Sequence, residues 1–207
     1  MGLAWLTVMG LLLGGCDVFG PKDEPVPEFK TENHITVNED LSVSATLVES
    51  FTESYYRPDE LLKMVNEEAI AFNEAAGPGS MLAERVEAEQ GLVNAVMRFA
   101  GREAYARYNE AVFFVGTVDE AINNGLPLNL TLYNINNRDK TIDREGLQAL
   151  KNTYILITDE HNRIGPLTIS VFGKVQYVSG GVERWYDSSS VRVAMPSEGL
   201  VYVVFKV

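Results

Sequence analysis

The histidine and serine side chains are the first candidates for acid–base or nucleophilic chemistry. Only His34 and His161 occur among the 207 residues. His161 lies in a stretch rich in Asp, Asn and Gly, residues 159–165, which is typical of a solvated turn between strands. The run Ser188-Ser189-Ser190 has no evident base partner, and no Gly-x-Ser-x-Gly elbow is present. The sequence therefore predicts neither a histidine-based metal site nor a serine hydrolase.

A possible cation loop lies at residues 134–140, which read NINNRDK. Oxygen-bearing side chains alternate there as they do in a calcium loop. The segment lacks the glycine and the closing glutamate of such a loop, and Arg138 and Lys140 would repel the ion. We interpret it as a turn, and no metal site is predicted.

Paired carboxylates could serve glycoside hydrolysis, which needs two acids at a suitable separation. Glu67 with Glu68, and Glu87 with Glu89, are such pairs. With 29 acidic residues in the chain, close pairs arise by chance. We predict that these four residues lie on solvated faces of a helix and a strand.

Two aromatic pairs are the candidates for a binding surface: Tyr55 with Tyr56, and Trp185 with Tyr186. Glycines precede the second pair and serines follow it, so a loop is predicted there. Exposed tyrosine and tryptophan offer large rigid contact areas to proteins or sugars. The alternative is that they cap the core.

The single cysteine, Cys16, follows the run Leu11-Leu12-Leu13-Gly14-Gly15. An apolar stretch, two minimal residues and a cysteine resemble a bacterial lipobox. In such signals the chain is cut before the cysteine, and diacylglycerol is attached to its sulfur. We therefore expect residues 1–15 to be a lipoprotein signal peptide and Cys16 to be the lipid attachment site.

The apolar stretch itself, residues 3–13, has the length of a signal-peptide core and is shorter than the roughly 20 residues of a membrane-spanning helix. No Lys or Arg precedes it, which departs from the basic start of export signals. Once Cys16 carries lipid, no thiol remains for a disulfide or a zinc site. The covalent diacylglycerol is the one non-protein group expected, with no other cofactor.

Charge limits the partners. The 29 acidic and 17 basic residues give a net charge of −12, and all of them follow Cys16. The phosphate backbones of nucleic acids and the anionic headgroups of lipids repel a protein with this net charge, so nucleic acid is excluded as a partner. Two acyl chains are enough for stable anchoring without a basic patch. The expected location is the extracytoplasmic side of the cell membrane, with an envelope protein or a glycan as candidate partner.

The domain organisation follows from composition. Residues 16–33 contain three prolines and frequent charges, which predicts a disordered tether between lipid and folded body. Residues 34–207 are predicted to form a single α+β domain. Two subdomains with a boundary near residue 126 are the alternative.

The apolar spacing predicts an N-terminal hairpin–helix–hairpin portion with short helices, followed by a strand-rich half that forms a meander or a small sandwich. The helix starts at Pro58 and ends at Gly77. The hairpins cover residues 35–47 and 82–99. Short helices are predicted at 102–108 and 117–123, and strands at 111–115, 128–133, 153–157, 167–171, 174–178, 191–195 and 200–206.

Four segments resemble a group of uncharacterised lipoproteins of clostridial-type, Gram-positive anaerobes. They are residues 55–61 (YYRPDEL), 99–109, 113–121 (FFVGTVDEA) and 197–202 (SEGLVY). The resemblance implies an extracytoplasmic location and an α+β fold, and it supplies no catalytic residues.

Three functional hypotheses remain. The favoured one is a lipid-anchored envelope module that acts by binding or by structure, without enzymatic activity. The second is a receptor for a small solute or glycan, with a concave pocket lined by aromatics such as Trp185 and Tyr186. The third is a carboxylate-dependent hydrolase, which would need two acids that converge in a cleft.

Overall fold

The computed structural model of the protein describes residues 29–50, 57–89, 91–128, 130–159, 164, 166–185, 187–193 and 199–207. Within these ranges the chain forms strands in two sheets together with helices. The fold is mixed α+β and strand-rich, so the predicted class is confirmed.

The described strands are β1 (Asn33–Val37), β2 (Val43–Ser50), β3 (Met81–Glu89), β4 (Leu92–Phe99), β5 (Phe113–Thr117), β6 (Leu132–Asn134), β7 (Asn137–Ile142), β8 (Tyr154–Thr158), β9 (Leu167–Ser170), β10 (Lys174–Val178), β11 (Val182–Trp185), β12 (Ser190–Val193) and β13 (Val201–Lys206). The described helices are α1 (Pro58–Ala76), α2 (Arg102–Asn109), α3 (Val118–Asn123) and α4 (Arg144–Gln148).

The two sheets draw their strands from both halves of the chain. The seven-stranded sheet has the order β11-β12-β9-β1-β2-β4-β3, and the six-stranded sheet has the order β5-β8-β13-β10-β6-β7. Strands β1 and β9 run parallel, with His34 opposite Thr168. Segments on either side of residue 126 therefore pair within the same sheets.

The main core lies between the two sheets. One apolar cluster contains Ile35 and Ile169 of the seven-stranded sheet together with Leu156, Val203 and Phe205 of the six-stranded sheet, all of them at most 1% exposed. The burial of these side chains is the chief stabilising term for a fold without a disulfide. It also sets which face of the seven-stranded sheet remains outside.

The six-stranded sheet is buried on both faces. On its second face, Ile155, Ile157 and Val204 pack with Val118 of α3 and Leu147 of α4. Strands covered on both faces need continuous apolar sequences, because successive side chains point to opposite faces. This explains the uninterrupted runs in β8 and β13 that made both strands predictable.

Local signals account for the helix ends. Helix α1 begins at Pro58, whose missing N–H costs nothing in the first turn, and it stops before Gly77 at φ +110°. Thr117 and Glu120 form a capping box at the start of α3, since each side chain accepts from the other's backbone N–H. Among the described residues, none of the helices has the length and hydropathy needed to span a membrane.

The outer face of the seven-stranded sheet is polar. Ile35 and Val37 of β1 point into the core, so His34 and Thr36 point outward. The sheet register aligns residues of β9 and β12 with them and builds two polar rows across the face. The first row contains Arg192, Thr168 and His34, and the second contains Ser190, Ser170 and Thr36.

Three predicted features differ from the structure. The strand predicted at 128–133 is the shorter β6, because Leu128 is buried in the second core cluster without a strand partner. Trp185, predicted in a loop, is the last residue of strand β11, which pairs with β12. The predicted tether, residues 16–33, overlaps the folded body, since Asn33 starts β1 and Lys30 hydrogen-bonds Asn94. Each difference arises from contacts with residues far away in the chain, which local composition does not reveal.

Close packing of the second sheet against the turn before β10 gives a stability prediction. A Cβ on Gly173 would lie 2.6 Å from the carbonyl oxygen of Lys206, whereas a Cβ on Gly180 would meet only Tyr133 at 4.0 Å. Gly173→Ala should lower the free energy of unfolding by about 1–3 kcal/mol, because backbone must move to admit the methyl group. Gly180→Ala is the matched control and should change it by less than about 0.5 kcal/mol. Urea titrations measure both, and equal effects would contradict the packing argument.

Candidate functional site

A groove of 710 Å³ lies on the polar outer face of the seven-stranded sheet. Its floor is formed by residues of β1, β9 and β12, and one wall is the segment that precedes β1, residues 29–32. The volume lies within the range of small-molecule sites, roughly 300–1,000 Å³. We call this cavity the polar groove.

The wall of the polar groove is held to the sheet by a buried amide. The backbone N–H of Lys30 donates to Oδ1 of Asn94 at 2.6 Å, and Nδ2 of Asn94 donates to the carbonyl of Lys30 at 2.8 Å. Asn94 is 0% exposed, so this reciprocal pair satisfies a polar side chain that would otherwise be buried at a cost. Oδ1 of Asn33 also accepts a hydrogen bond from the backbone N–H of Val48 at 2.8 Å.

An ion pair joins the wall to the floor. Nε of Arg192 lies 2.8 Å from Oε2 of Glu32 and 3.1 Å from Oε1, and the hydroxyl of Thr168 donates to Oε1 at 2.5 Å. The Arg192 and Glu32 side chains are only 29% and 20% exposed. Partial burial makes such a pair stronger than a surface salt bridge. It neutralises both charges inside the groove.

A chain of hydrogen bonds runs along the floor. Nε2 of His34 lies 2.9 Å from Oγ of Ser170, which lies 2.9 Å from Oγ of Ser190. Asp187, which also lines the groove, accepts hydrogen bonds from the backbone N–H and the hydroxyl of Ser189 at 2.7 and 2.9 Å. We call the His34–Ser170–Ser190 chain the floor relay.

Two titratable groups of the groove, His34 and Asp187, have shifted pKa values. Burial, reinforced by the positive charge of Lys30 and opposed by the negative charge of Glu32, lowers the pKa of His34 from 6.5 to about 4. Burial alone would raise the pKa of Asp187, but hydrogen bonds, those from Ser189 foremost, outweigh it and hold that pKa below its usual value. At neutral pH the imidazole is therefore uncharged and the carboxylate ionised.

The groove is locally charge-balanced on a protein of net charge −12. Lys30 and Arg192 supply two positive charges, and Glu32 and Asp187 supply two negative ones. The remaining polar groups are hydroxyls and one neutral imidazole. Such a lining offers many hydrogen bonds and little net field, which suits an uncharged, hydroxylated ligand.

The carboxylates of the groove are not arranged as a general acid and base. Glu32 is held by Arg192 and Thr168, and the pKa of Asp187 is lowered, whereas a general acid at neutral pH needs a raised pKa. The carboxylates singled out in the sequence lie elsewhere: Glu67 pairs with Lys63 at 3.7 Å on the exposed face of α1. Arg85 pairs with Glu87 at 3.1 Å on β3.

The remaining sequence-based candidates fall in three places. Cys16, Tyr55, Tyr56 and Tyr186 lie outside the described residues. Trp185 ends β11 with its Cα in register with Ser190 of the groove floor, so its backbone is one strand away from that floor. The suspected cation loop is the β6–β7 turn, in which Oδ1 of Asn134 accepts from the backbone N–H of the second and third residues after it.

Sequence reasoning missed most of the groove. The sequence around Ser188-Ser189-Ser190 offers no base partner, yet in the fold Ser190 connects through Ser170 to His34, 156 residues earlier in the chain (190 − 34). A usable signal existed in the alternation of polar residues along β1, β9 and β12. It shows that each strand has a polar face, but not that the three faces adjoin.

Comparison with known proteins adds no relative. No protein-family model matches the chain, and neither a curated protein nor a solved structure has significant similarity to it.

Proposed function

We propose that this protein is a lipid-anchored extracytoplasmic module whose folded domain binds a small uncharged solute or glycan in the polar groove. The lipid is attached at Cys16, and the domain is the binding part. The observation that carries the binding function is the charge-balanced, hydroxyl-rich groove.

Three properties of the groove support a hydroxylated ligand. Its floor places the hydroxyls of Ser170 and Ser190 beside a neutral imidazole. Its two positive and two negative charges balance, and Arg192 and Glu32 form an ion pair, so the groove offers little net attraction to an anionic or cationic ligand. Its wall and floor are fixed by hydrogen bonds, which reduces the entropy lost on binding.

The anchor and the groove would be close neighbours along the chain. The wall of the groove begins at Phe29, only 13 residues after Cys16 (29 − 16). A chain of that length spans at most roughly 45 Å when fully extended. The groove would thus be presented within a few tens of ångströms of the membrane surface, where envelope glycans and solutes are available.

Removal of one floor hydroxyl tests the binding function. Ser170→Ala should weaken the binding of uncharged oligosaccharides by about tenfold, since one hydrogen bond contributes about 1.4 kcal/mol when its loss leaves a ligand group unpaired. The measurement is isothermal titration of the full chain with tetra-N-acetylglucosamine, maltotetraose and their acidic counterparts. Ser44→Ala is the matched control, because Ser44 lies on the same sheet face opposite Thr36. If no uncharged sugar binds the wild type, or if both variants bind alike, the proposed groove function is wrong.

Metabolic labelling tests the anchor. Cells given an alkynyl palmitate analogue should label the wild-type chain and fractionate it with membranes, because the thioether on Cys16 is the only attachment route that a chain with one cysteine offers. Cys16→Ser should lose the label and leave the chain unprocessed. Labelling that survives this substitution would contradict lipid attachment at Cys16.

A further inference from the structure

The carboxylate of Glu32 is bound in the polar groove by two donors from the floor. Nε of Arg192 lies 2.8 Å from one carboxylate oxygen and 3.1 Å from the other, and the hydroxyl of Thr168 donates to Oε1 at 2.5 Å. Thr168 is 3% exposed and the Arg192 side chain is 29% exposed, so both donors are shielded from solvent. A guanidinium and a hydroxyl directed at one carboxylate are the contacts by which proteins bind carboxylate ligands.

The wall of the groove holds this carboxylate in place from both sides. Before Glu32, the backbone of Lys30 forms its reciprocal hydrogen bonds with Asn94. After it, Nδ2 of Asn33 donates to the carbonyl oxygen of Ile164 at 2.6 Å. A carboxylate that the backbone positions in this way competes with a free anion at the high effective concentration of an intramolecular ligand.

We propose that Glu32 is the specificity-determining residue of the polar groove: its carboxylate is the built-in occupant of an anion subsite formed by Arg192 and Thr168, and it thereby excludes ligands that carry a carboxylate. This inference deepens the proposed function and rests on it for the identity of the ligand, but not for the anion subsite. An acidic sugar can reach Arg192 only by displacing Glu32 from its hydrogen-bonded wall. A neutral sugar binds the hydroxyls of the floor and leaves the ion pair intact.

The charge of the groove supports this role of Glu32. Among the described lining residues, Lys30 and Arg192 are basic and Glu32 and Asp187 are acidic, so their formal charges sum to zero (2 − 2). Without Glu32 the sum becomes +1 (2 − 1), on a protein whose net charge is −12. The exposed Glu183 lies on the neighbouring strand β11, directly opposite Arg192, so it is a second carboxylate within reach of the guanidinium. Any test of the subsite must therefore account for Glu183.

Chemical rescue tests the anion subsite without any sugar. Glu32→Ala removes a methylene group and a carboxylate, which together have the size and charge of acetate, and it leaves Arg192 and Thr168 in the floor. Acetate at about 0.1 M should therefore raise the melting temperature of this variant by about 2–4 °C relative to chloride at equal ionic strength, because a ligand that binds only the folded chain stabilises it. The wild type should show no such difference, since Glu32 already fills the subsite. Calorimetry of the full chain in detergent micelles at neutral pH measures the shift.

Glu87→Ala is the matched control. Glu87 pairs with Arg85 at 3.1 Å, and the Arg85 side chain is 24% exposed, much as Arg192 is, but this pair lies on β3 outside the groove. Acetate should stabilise this control no more than chloride does. The double variant Glu32→Ala/Glu183→Ala covers the case in which Glu183 moves to Arg192 in the single variant. Rescue of neither Glu32→Ala nor the double variant, or equal stabilisation of the wild type or of Glu87→Ala, would overturn the inference.

A sugar arm on Glu32→Gln separates this inference from the proposed function. The amide keeps the size of the side chain and removes its charge, so this variant should bind trigalacturonate about tenfold more tightly than the wild type does, with the affinity for maltotetraose unchanged. If the wild type binds no neutral sugar while acetate rescues Glu32→Ala, the proposed function fails and the anion subsite stands. If maltotetraose binds the wild type but neither acetate nor trigalacturonate distinguishes the variants from it, this inference fails and the proposed function stands.

Discussion

Acidification from pH 7 to pH 4 should destabilise the wild-type protein by about 3 kcal/mol more than it destabilises His34→Gln. Burial and the charge of Lys30 lower the pKa of His34 from 6.5 to about 4. Between these values the unfolded chain binds a proton that the folded chain does not, so stability falls as the pH falls. Above pH 6.5 neither state is protonated, and below about pH 4 both are, so the loss is confined to this window. The roughly 2.5-unit difference corresponds to about 3 kcal/mol.

Urea unfolding of both proteins at several pH values measures this difference. Glutamine is the chosen replacement because its amide can still form a hydrogen bond with Oγ of Ser170 in place of Nε2 of His34. Carboxylates with lowered pKa values, such as Asp40, Glu103 and Asp187, also lose stabilising interactions in acid, but they do so in both proteins and cancel in the comparison. Parallel stability curves for the two proteins would show that the folded-state pKa of His34 is not lowered.

Phe99→Ala should lower the free energy of unfolding by about 3–5 kcal/mol, the largest effect expected from a single truncation. The ring is 0% exposed, and its centroid lies 5.2 Å from that of Tyr105 and 5.3 Å from that of Tyr108. Tyr105 in turn contacts Phe113 of the second sheet at 4.5 Å, and Tyr108 contacts Phe72 of α1 at 5.4 Å. A cavity at Phe99 would therefore loosen contacts with helices α1 and α2 and with both sheets.

Leu82→Ala is the control for Phe99→Ala. Leu82 lies on the neighbouring strand β3, opposite Arg98, and is 56% exposed. Its truncation should change stability by less than about 0.5 kcal/mol. Calorimetric or urea unfolding distinguishes the two variants. Similar losses of stability for both variants would mean that the aromatic contacts around Phe99 contribute no more to stability than an exposed leucine.

The two predictions concern opposite faces of one sheet. Phe99 stabilises the apolar inner face, where size and shape decide the energy. His34 lies on the polar outer face, where the same strand register that buries Ile35 presents an imidazole to the groove. A fold can tolerate the cost of a half-buried histidine on that face because the inner face supplies most of the stability.

Local patterns in the sequence were informative wherever the signal lies within one element. Proline at the start and glycine at the end bound α1, and Thr117 with Glu120 caps α3, because capping involves residues only three apart. Continuous apolar runs marked β8 and β13, since both of their faces are buried. The exposed strand β7 had no such run and was missed, because its pairing with β6 rather than its own burial forms it.

The candidate site shows the limit of this reasoning. Each strand of the floor reveals by alternation that it has a polar face. Nothing local states that β1 lies beside β9, or that Ser190 comes within one hydrogen bond of Ser170. Trp185 was identified as a candidate, but its place in β11, opposite Ser190, follows from strand pairing.

Composition and short-range periodicity are thus enough to predict the α+β class, the acidic net charge, the best-capped helices and the apolar strands. The sharing of both sheets between the two halves of the chain, and the polar groove formed by residues far apart in sequence, emerge in the folded protein alone. A parallel pairing such as β1 with β9 joins segments more than 130 residues apart (167 − 33 = 134). Such a pairing is selected by burial of the whole inner face, not by any local preference of the residues that it brings together.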